Sequence, residues 1–215
     1  MYENVFEPIR VAGVTIPNRI VRTAHGTSLK FPRPGEKDSS LLAYHEARAR
    51  GGVGMSILET VPVHQSSILG DIPGWTDEVI EGYQTIADAV HRHGMKIFQQ
   101  LWHGGSAMYL NALGGPPWSA SDVVNPMSGL VPIPMTKTMI DELVAAFAAT
   151  ARRCKEGGVD GVEVHAAHGY LPAQFFSRAT NTRDDDYGGS LENRTRFCRD
   201  CLLYTSDAAD DLTRV

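Results

Sequence analysis

Residues 138–164, TMIDELVAAFAATARRCKEGGVDGVEV, decide the fold. Ile140, Leu143, Val144, Phe147, Ala148 and Ala151 fall at i, i+3, i+4, i+7, i+8 and i+11, one continuous helical face. Thr138 with Asp141 reads as a capping box at its start. Gly157-Gly158 supplies the left-handed conformation that stops a helix, and the apolar strand Val159 to Val164 follows at once. The same order occurs twice upstream. Leu41, Leu42, His45 and Ala49 run into Gly51-Gly52 and a strand from Val53 to Leu58. Val79, Tyr83, Ile86, Ala87 and Val90 run into Gly94 and a strand from Met95 to Phe98. A strand from Arg19 to Ala24 starts the series. Before it, Ile9 to Ile16 reads as a hairpin around Gly13 that plugs one end of the structure.

Continuous apolar strands suit parallel sheets buried on both faces. Repeated βα units leave two architectures, a doubly wound open sheet or a closed (β/α) barrel. No G-x-G-x-x-G follows the first strand and no G-x-x-x-x-G-K occurs anywhere, so the nucleotide fingerprints of open sheets are missing. Polar residues gather instead just past each strand: His25, then Glu59 and Thr60, then Gln100 and His103, then His165. That is where a barrel enzyme keeps its site. The Gly-, Pro- and Ser-rich stretch Gly104 to Pro134 reads as a long loop over that face. The expected fold is α/β, a TIM (β/α)8 barrel truncated to about its first four βα units behind the hairpin.

Composition narrows the function classes. Lys+Arg total 20 against Asp+Glu 25 in 215 residues, a net charge of −5, which offers no basic stripe for nucleic acid. No apolar run approaches a membrane span, and the N-terminus is too acidic for a signal peptide. Three cysteines make no disulfide framework, so a cytoplasmic setting is expected. The helical pattern begins again near Glu192 but dissolves after Cys201. Residues 1–200 therefore read as the N-terminal half of a barrel domain. Residues 201–215 resemble translated adapter sequence and read as a non-native tail.

The chemistry concentrates in His165-Ala-Ala-His168-Gly-Tyr170-Leu171. Two imidazoles can donate hydrogen bonds to one carbonyl or anionic oxygen, and a neighbouring phenol can deliver a proton to a developing carbanion. The same histidines, with His25, His103 and Glu59, leave open a metal-dependent barrel hydrolase. A half-barrel fragment without catalysis is the remaining alternative. Cys198-Arg-Asp-Cys201 lacks the context of a redox motif, and the runs Asp184 to Asp186 and Arg48/Arg50 read as solvated surface.

That His165–Leu171 stretch, extended by Gln174-Phe175 and by Asn181-x-Arg183-x-Asp185-x-Tyr187-Gly188-Gly189-Ser190-x-Glu192-Asn193-Arg194-x-Arg196-Phe197, resembles the Old Yellow Enzyme family of flavin oxidoreductases. Phe6-Glu7-Pro8-Ile9 and Asn18-Arg19-Ile20-Val21 resemble its N-terminal signature, and Gln100-Leu101-x-His103-Gly104-Gly105 its third-strand motif. The resemblance implies a TIM barrel holding FMN noncovalently, reduced by NADH or NADPH. It further implies reduction of the activated C=C bond of an enone or dienoyl thioester. Ala24, His25 and Gly26 would line the flavin's reactive edge, Thr60 would lie beside the ring, and Gln100 would bond its pyrimidine end. His165 and His168 would hold the substrate oxygen above the ring, with His165 also counted among the cofactor-binding residues, and Tyr170 would be the proton donor. No metal site is implied. The run Thr23-Ala24-His25-Gly26 departs from the commoner Pro followed by Met, Leu or Cys and looks more like the multidomain branch. A parent of that branch would add a 4Fe-4S cluster and FAD in further domains. Small-molecule substrates and a possible homo-oligomer follow as partners, and the fragment alone is expected to be inactive.

Overall fold

The computed structural model describes residues 2–211 except 12, 68–71, 110, 112 and 127. Its elements run β1 (Ile9–Val11), β2 (Val14–Ile16), β3 (Val21–Arg22), α1 (Ser40–Arg50), β4 (Met55–Pro62), α2 (Val79–His91) and β5 (Lys96–Trp102). They continue with β6 (Trp118–Ser119), β7 (Ile133–Pro134), α3 (Lys137–Glu156), β8 (Gly161–Val164), α4 (Leu171–Phe176) and α5 (Leu191–Asp211). The main sheet has the order β3-β4-β5-β8, each strand beside its predecessor in the βα series. Two compact units divide the chain: Met1–Val61 with Thr76–Gln100 and Arg153–Glu163, and Pro62–Trp75 with Leu101–Arg152 and Val164–Val215.

In the first unit, β1 and β2 form the expected hairpin, antiparallel with Ile9 opposite Ile16 and Gly13 at φ +84°. Ile16 packs with Met55 of β4 and Phe98 of β5, and Val14 and Ile57 flank them, so the hairpin closes over the starts of the strands. Burying each such side chain stabilises by roughly 2 kcal/mol. Phe98 also dictates a glycine, because a Cβ on Gly161 would stand 2.7 Å from its ring. The first strand is shorter than its sequence suggests. Asn18 takes up the backbone there, receiving Ile20 N–H on Oδ1 and giving Nδ2–H to Gly52 O, so only Val21 and Arg22 pair with Met55 and Ser56. The starts of β5 and β8 are also tied by Asp160, whose carboxylate accepts from His91, from Lys96 Nζ and from Ile97 N–H.

Side-chain caps hold the starts of α1, α3 and α5. Ser39 Oγ accepts from Leu42 N–H at the head of α1 and Ser190 Oγ from Asn193 N–H at the head of α5. On α3 the expected Thr138–Asp141 box is replaced by Thr136, whose Oγ1 accepts from Met139 N–H. The helix begins one residue before Thr138, so that residue is already inside it.

The second unit is organised around Phe147, Phe175 and Phe197, with Phe175 and Phe197 stacked at 4.6 Å. Asn181 Nδ2 donates to both Phe175 O and Tyr187 O, and Arg183 Nη1 donates to Ala120 O and Met135 O. Much of the long motif is thus loop scaffolding. Asp185 is not merely solvated, since it pairs with Arg183 and receives Tyr187 N–H, and Arg183 holds its carboxyl below the usual range. The guanidinium of Arg48, also expected to be free surface, lies 3.2 Å from the centre of the Tyr44 ring in the first unit. The helical pattern does not dissolve at Cys201, because α5 continues to Asp211 with Cys201 and Thr205 buried. Residues 212–215 of the expected tail lie outside the described residues. Among the described residues no helix is long and apolar enough to cross a membrane.

His45 in the first unit gives a stability prediction. It is fully buried, Nδ1 bonds Ser56 Oγ at 2.9 Å, and burial lowers its pKa from 6.5 to about 3. The folded state keeps the ring neutral while the unfolded chain protonates it below 6.5. Its contribution is therefore complete above that pH and is lost as pH falls toward 3, at about 1.4 kcal/mol per unit. Between pH 7 and pH 5 urea unfolding should show a loss of which about 2 kcal/mol comes from this ring, and His45→Asn should remove that share. An unchanged pH dependence in that variant would mean the ring is not buried neutral.

Candidate active site

The structure gathers the sequence-derived site residues in two clusters, one within each unit. In the first, Ala24, His25 and Gly26 lie just beyond β3, with Ala24 half-buried and the other two exposed. Arg22 donates to His25 Nε2 at 3.3 Å, and the Tyr44 hydroxyl stands 3.4 Å from the same nitrogen. Arginine can only donate, so His25 accepts on Nε2 and carries its proton on Nδ1. No atom lies within 4 Å of where a Cβ on Gly26 would be.

Further along, Thr60 is half-buried on β4, and its neighbour Glu59 accepts from Thr27 N–H at 2.6 Å and from the Thr27 hydroxyl. Glu59 is therefore an anchor for the β3–α1 connection. Gln100 on β5 is 9% exposed and donates Nε2–H to Glu163 of β8 at 3.1 Å. Beside it, Gln99 gives Nε2–H to Glu59 O and Gln100 O, while its Oε1 is buried without a hydrogen-bond partner. Glu163 and Gln99 escape sequence reading. Glu163 is the one charged residue of its short strand and Gln99 sits beside Gln100, and their partners come from a neighbouring strand or from the local backbone.

The second cluster follows β8. His165 N–H donates to Leu101 O, which holds the residue at the strand end. Ala167 N–H donates to His165 Nδ1, so the ring carries its proton on Nε2 and points it at His168 Nδ1, 3.2 Å away. His168 is left with a donor Nε2–H, and its ring is exposed. It sits at φ +55° before Gly169 at φ +72°, a left-handed turn whose first residue is not glycine. Such strain costs on the order of 1 kcal/mol and collects at functional sites. The turn brings the half-buried Tyr170 ring edge-on to His165 at 4.9 Å and to Trp102 at 5.3 Å. Among the described residues the Tyr170 hydroxyl has no hydrogen-bond partner. A histidine pair with an outward donor and a phenol whose proton is uncommitted can polarise an oxygen and protonate a neighbouring carbon.

His103 does not join this cluster. It is fully buried, its pKa is pushed down to about 3 by burial, and both ring nitrogens are bonded within the protein. Its strand-end position suggested a ligand-facing group, but the ring turns inward. The metal reading loses that ligand, and Glu59 and His25 have the partners already given. Among the described residues no three His, Cys, Asp or Glu side chains are grouped to hold a metal ion. Cys198 and Cys201 are buried thiols raised above their ordinary range by burial, which removes them from redox use.

Comparison with known proteins adds to this geometry. Residues 4–210 match the model of the NADH:flavin oxidoreductase / NADH oxidase family. The chain is 38% identical over 214 residues to NADH oxidase of Thermoanaerobacter brockii, covering 98% of this chain and 33% of that protein. It is 35% identical over 204 residues to NADPH dehydrogenase of Bacillus subtilis strain 168, covering 94% of this chain and 60% of that one. The chain therefore spans between one third and three fifths of these relatives. Old Yellow Enzyme from Pichia sp. AKU4542 superposes with a TM-score of 0.82 at 30% identity, over 96% of this chain and 57% of that structure. The strand order β3-β4-β5-β8 with its intervening helices is thus the opening part of a TIM barrel. With the match running through both clusters and nearly the whole chain, this protein belongs to the NADH:flavin oxidoreductase / NADH oxidase family, that of Old Yellow Enzyme.

Proposed function

We propose that the full-length protein is an FMN-dependent oxidoreductase that reduces activated C=C bonds of enone or dienoyl thioester type at the expense of NADH or NADPH. The observation that carries this reading is the His165–His168–Tyr170 cluster, with its outward imidazole donor and a phenol that has no partner among the described residues. Bound FMN would supply hydride transfer, accepting from the nicotinamide and delivering to the β-carbon of the substrate. Open space beside Gly26, the half-buried Thr60 and the carboxamide of Gln100 suit a planar heterocycle with adjacent donor and acceptor atoms.

In this reading His168 and His165 hold the substrate's carbonyl oxygen and draw electron density from the conjugated bond. Receiving that oxygen, His165 turns its Nε2–H from His168 to the ligand. Tyr170 gives its proton to the α-carbon and regains one from solvent. Ala24, His25, Gly26, Thr60 and Gln100 hold the cofactor. The three cysteines are free and buried, so a 4Fe-4S cluster would depend on residues outside those described.

Titration with a phenolate tests the oxygen-binding part of the reading. In the flavin-loaded full-length protein a phenolate should bind and give a long-wavelength charge-transfer band. His165→Ala should weaken it by roughly 10- to 100-fold, the worth of one hydrogen bond to a charged oxygen. An unchanged titration would remove His165 from the site, and a colourless protein that takes up no FMN would overturn the proposed chemistry.

A further inference from the structure

Four side chains of the second unit form a continuous chain whose direction can be read from its fixed donors. Gly105 N–H donates to His103 Nδ1 at 3.1 Å, so His103 must carry its proton on Nε2. That Nε2 lies 2.9 Å from Ser66 Oγ, which therefore accepts there and turns its own proton to His64 Nδ1, 2.8 Å away. Ser66 N–H reaches the same Nδ1 at 3.1 Å, confirming it as an acceptor. His64 thus has its proton on Nε2, which faces the half-exposed Glu142 carboxylate at 3.2 Å. Every proton in the series points from the interior toward Glu142. Ser66 is 2% exposed, so this order of groups offers no nucleophile to a substrate.

The inner end of the chain meets the candidate active site. His103 O accepts Leu171 N–H at 3.1 Å, fixing the residue that follows Tyr170. Trp102, next to His103, provides the edge-on contact to the Tyr170 ring. Gly104 N–H is gripped by Ser67 Oγ, and Ser106 N–H by Gln174 Oε1, so the whole turn after β5 is bonded from both sides. A Cβ on Gly105, at φ +59°, would stand 2.2 Å from Gln174 Oε1, which shows how little slack remains.

We propose that His64, Ser66 and His103 are positioning residues for Tyr170, a polar chain from Glu142 that locks the Trp102–Gly105 turn and through it the Tyr170–Leu171 backbone and ring. The proposal rests on the assignment of Tyr170 as proton donor. A neutral, buried His103 is what such a chain requires, and burial keeps its ring neutral.

The test has a mechanical and a kinetic arm, both on the full-length protein loaded with FMN. Histidine 15N spectra should show His64 and His103 as neutral Nε2–H tautomers. Ser66→Ala should speed amide hydrogen exchange at Leu171 about tenfold, the effect of loosening one hydrogen bond. The same variant should lower kcat for enone reduction about tenfold, with KM for the enone and the rate of flavin reduction by NAD(P)H unchanged. His64→Asn, whose side-chain oxygen replaces the Nδ1 acceptor, should retain most of both properties, while His64→Ala should behave like Ser66→Ala. This pair decides the matter should Ser66→Ala fail to fold. An Nδ1–H tautomer at His103, unaltered exchange at Leu171, or loosened exchange with full enone turnover would each overturn the proposal. A wild-type protein that shows the expected tautomers and exchange but reduces no enone would instead overturn the assignment of Tyr170.

Discussion

Tyr170→Phe is expected to slow alkene reduction by the full-length flavoprotein about 100-fold or more, the usual loss on removing a positioned general acid. Reduction of the flavin by NADH or NADPH should be essentially unchanged, because no proton is delivered to carbon in that half-reaction. The substitution is unusually clean on structural grounds. The hydroxyl has no hydrogen-bond partner among the described residues, so no buried donor or acceptor is orphaned by its loss. The ring keeps its edge contacts to Trp102 at 5.3 Å and His165 at 4.9 Å, which do not involve the oxygen. Stopped-flow measurement of the two half-reactions separates the outcomes. Equal losses in both would mean that Tyr170 supports the cofactor rather than the proton transfer.

The second large effect concerns the 215-residue chain on its own. Mixed with excess FMN, it should neither quench flavin fluorescence at micromolar concentration nor consume NADPH with an enone. Among the described residues its main sheet has four strands, β3-β4-β5-β8, whereas a closed barrel has eight, and barrel phosphate sites are built after strands seven and eight. Residues proposed for the ring and the substrate are present in these 215 positions. A cofactor phosphate would lack those loops, and with them most of the attraction for a dianion. Strand edges without partners also favour self-association, so native mass should be read with the titration. A monomer that binds FMN with micromolar affinity or better would refute this account of where the binding energy resides.

The helix–glycine–strand rhythm was legible because a helix face and a buried strand each leave a periodic trace in one stretch of chain. All four buried positions read in α1 and all five read in α2 are core residues of those helices. The hairpin around Gly13 and the His165–Tyr170 cluster were likewise local, the latter confined to a strand end and the turn after it. Their spacing puts the rings on one short stretch, and contacts to Leu101, Trp102 and His103 hold that stretch in place. Periodicity says which face of an element is apolar, but not which atom meets a polar side chain.

His103 shows the limit. Its place after β5 matched that of a ligand-facing group, yet Ser66, 37 residues away, and Gly105 take both ring nitrogens and close it off. Glu59 and Arg48 had the same ambiguity, since a carboxylate at a strand end and an arginine on a helix are indistinguishable in sequence from an active-site acid and a solvated charge. Only Thr27, brought against Glu59, and Tyr44, lying under Arg48, settled their roles. Sequence by itself determined the order of elements, the inward faces and the chemical inventory at the strand ends. Tertiary structure alone decided which of those polar groups were spent on holding loops and which kept a ring or hydroxyl outside such bonds. Hydrogen-bond partners are chosen by distances of about 3 Å between atoms far apart in the chain, and no local pattern encodes them.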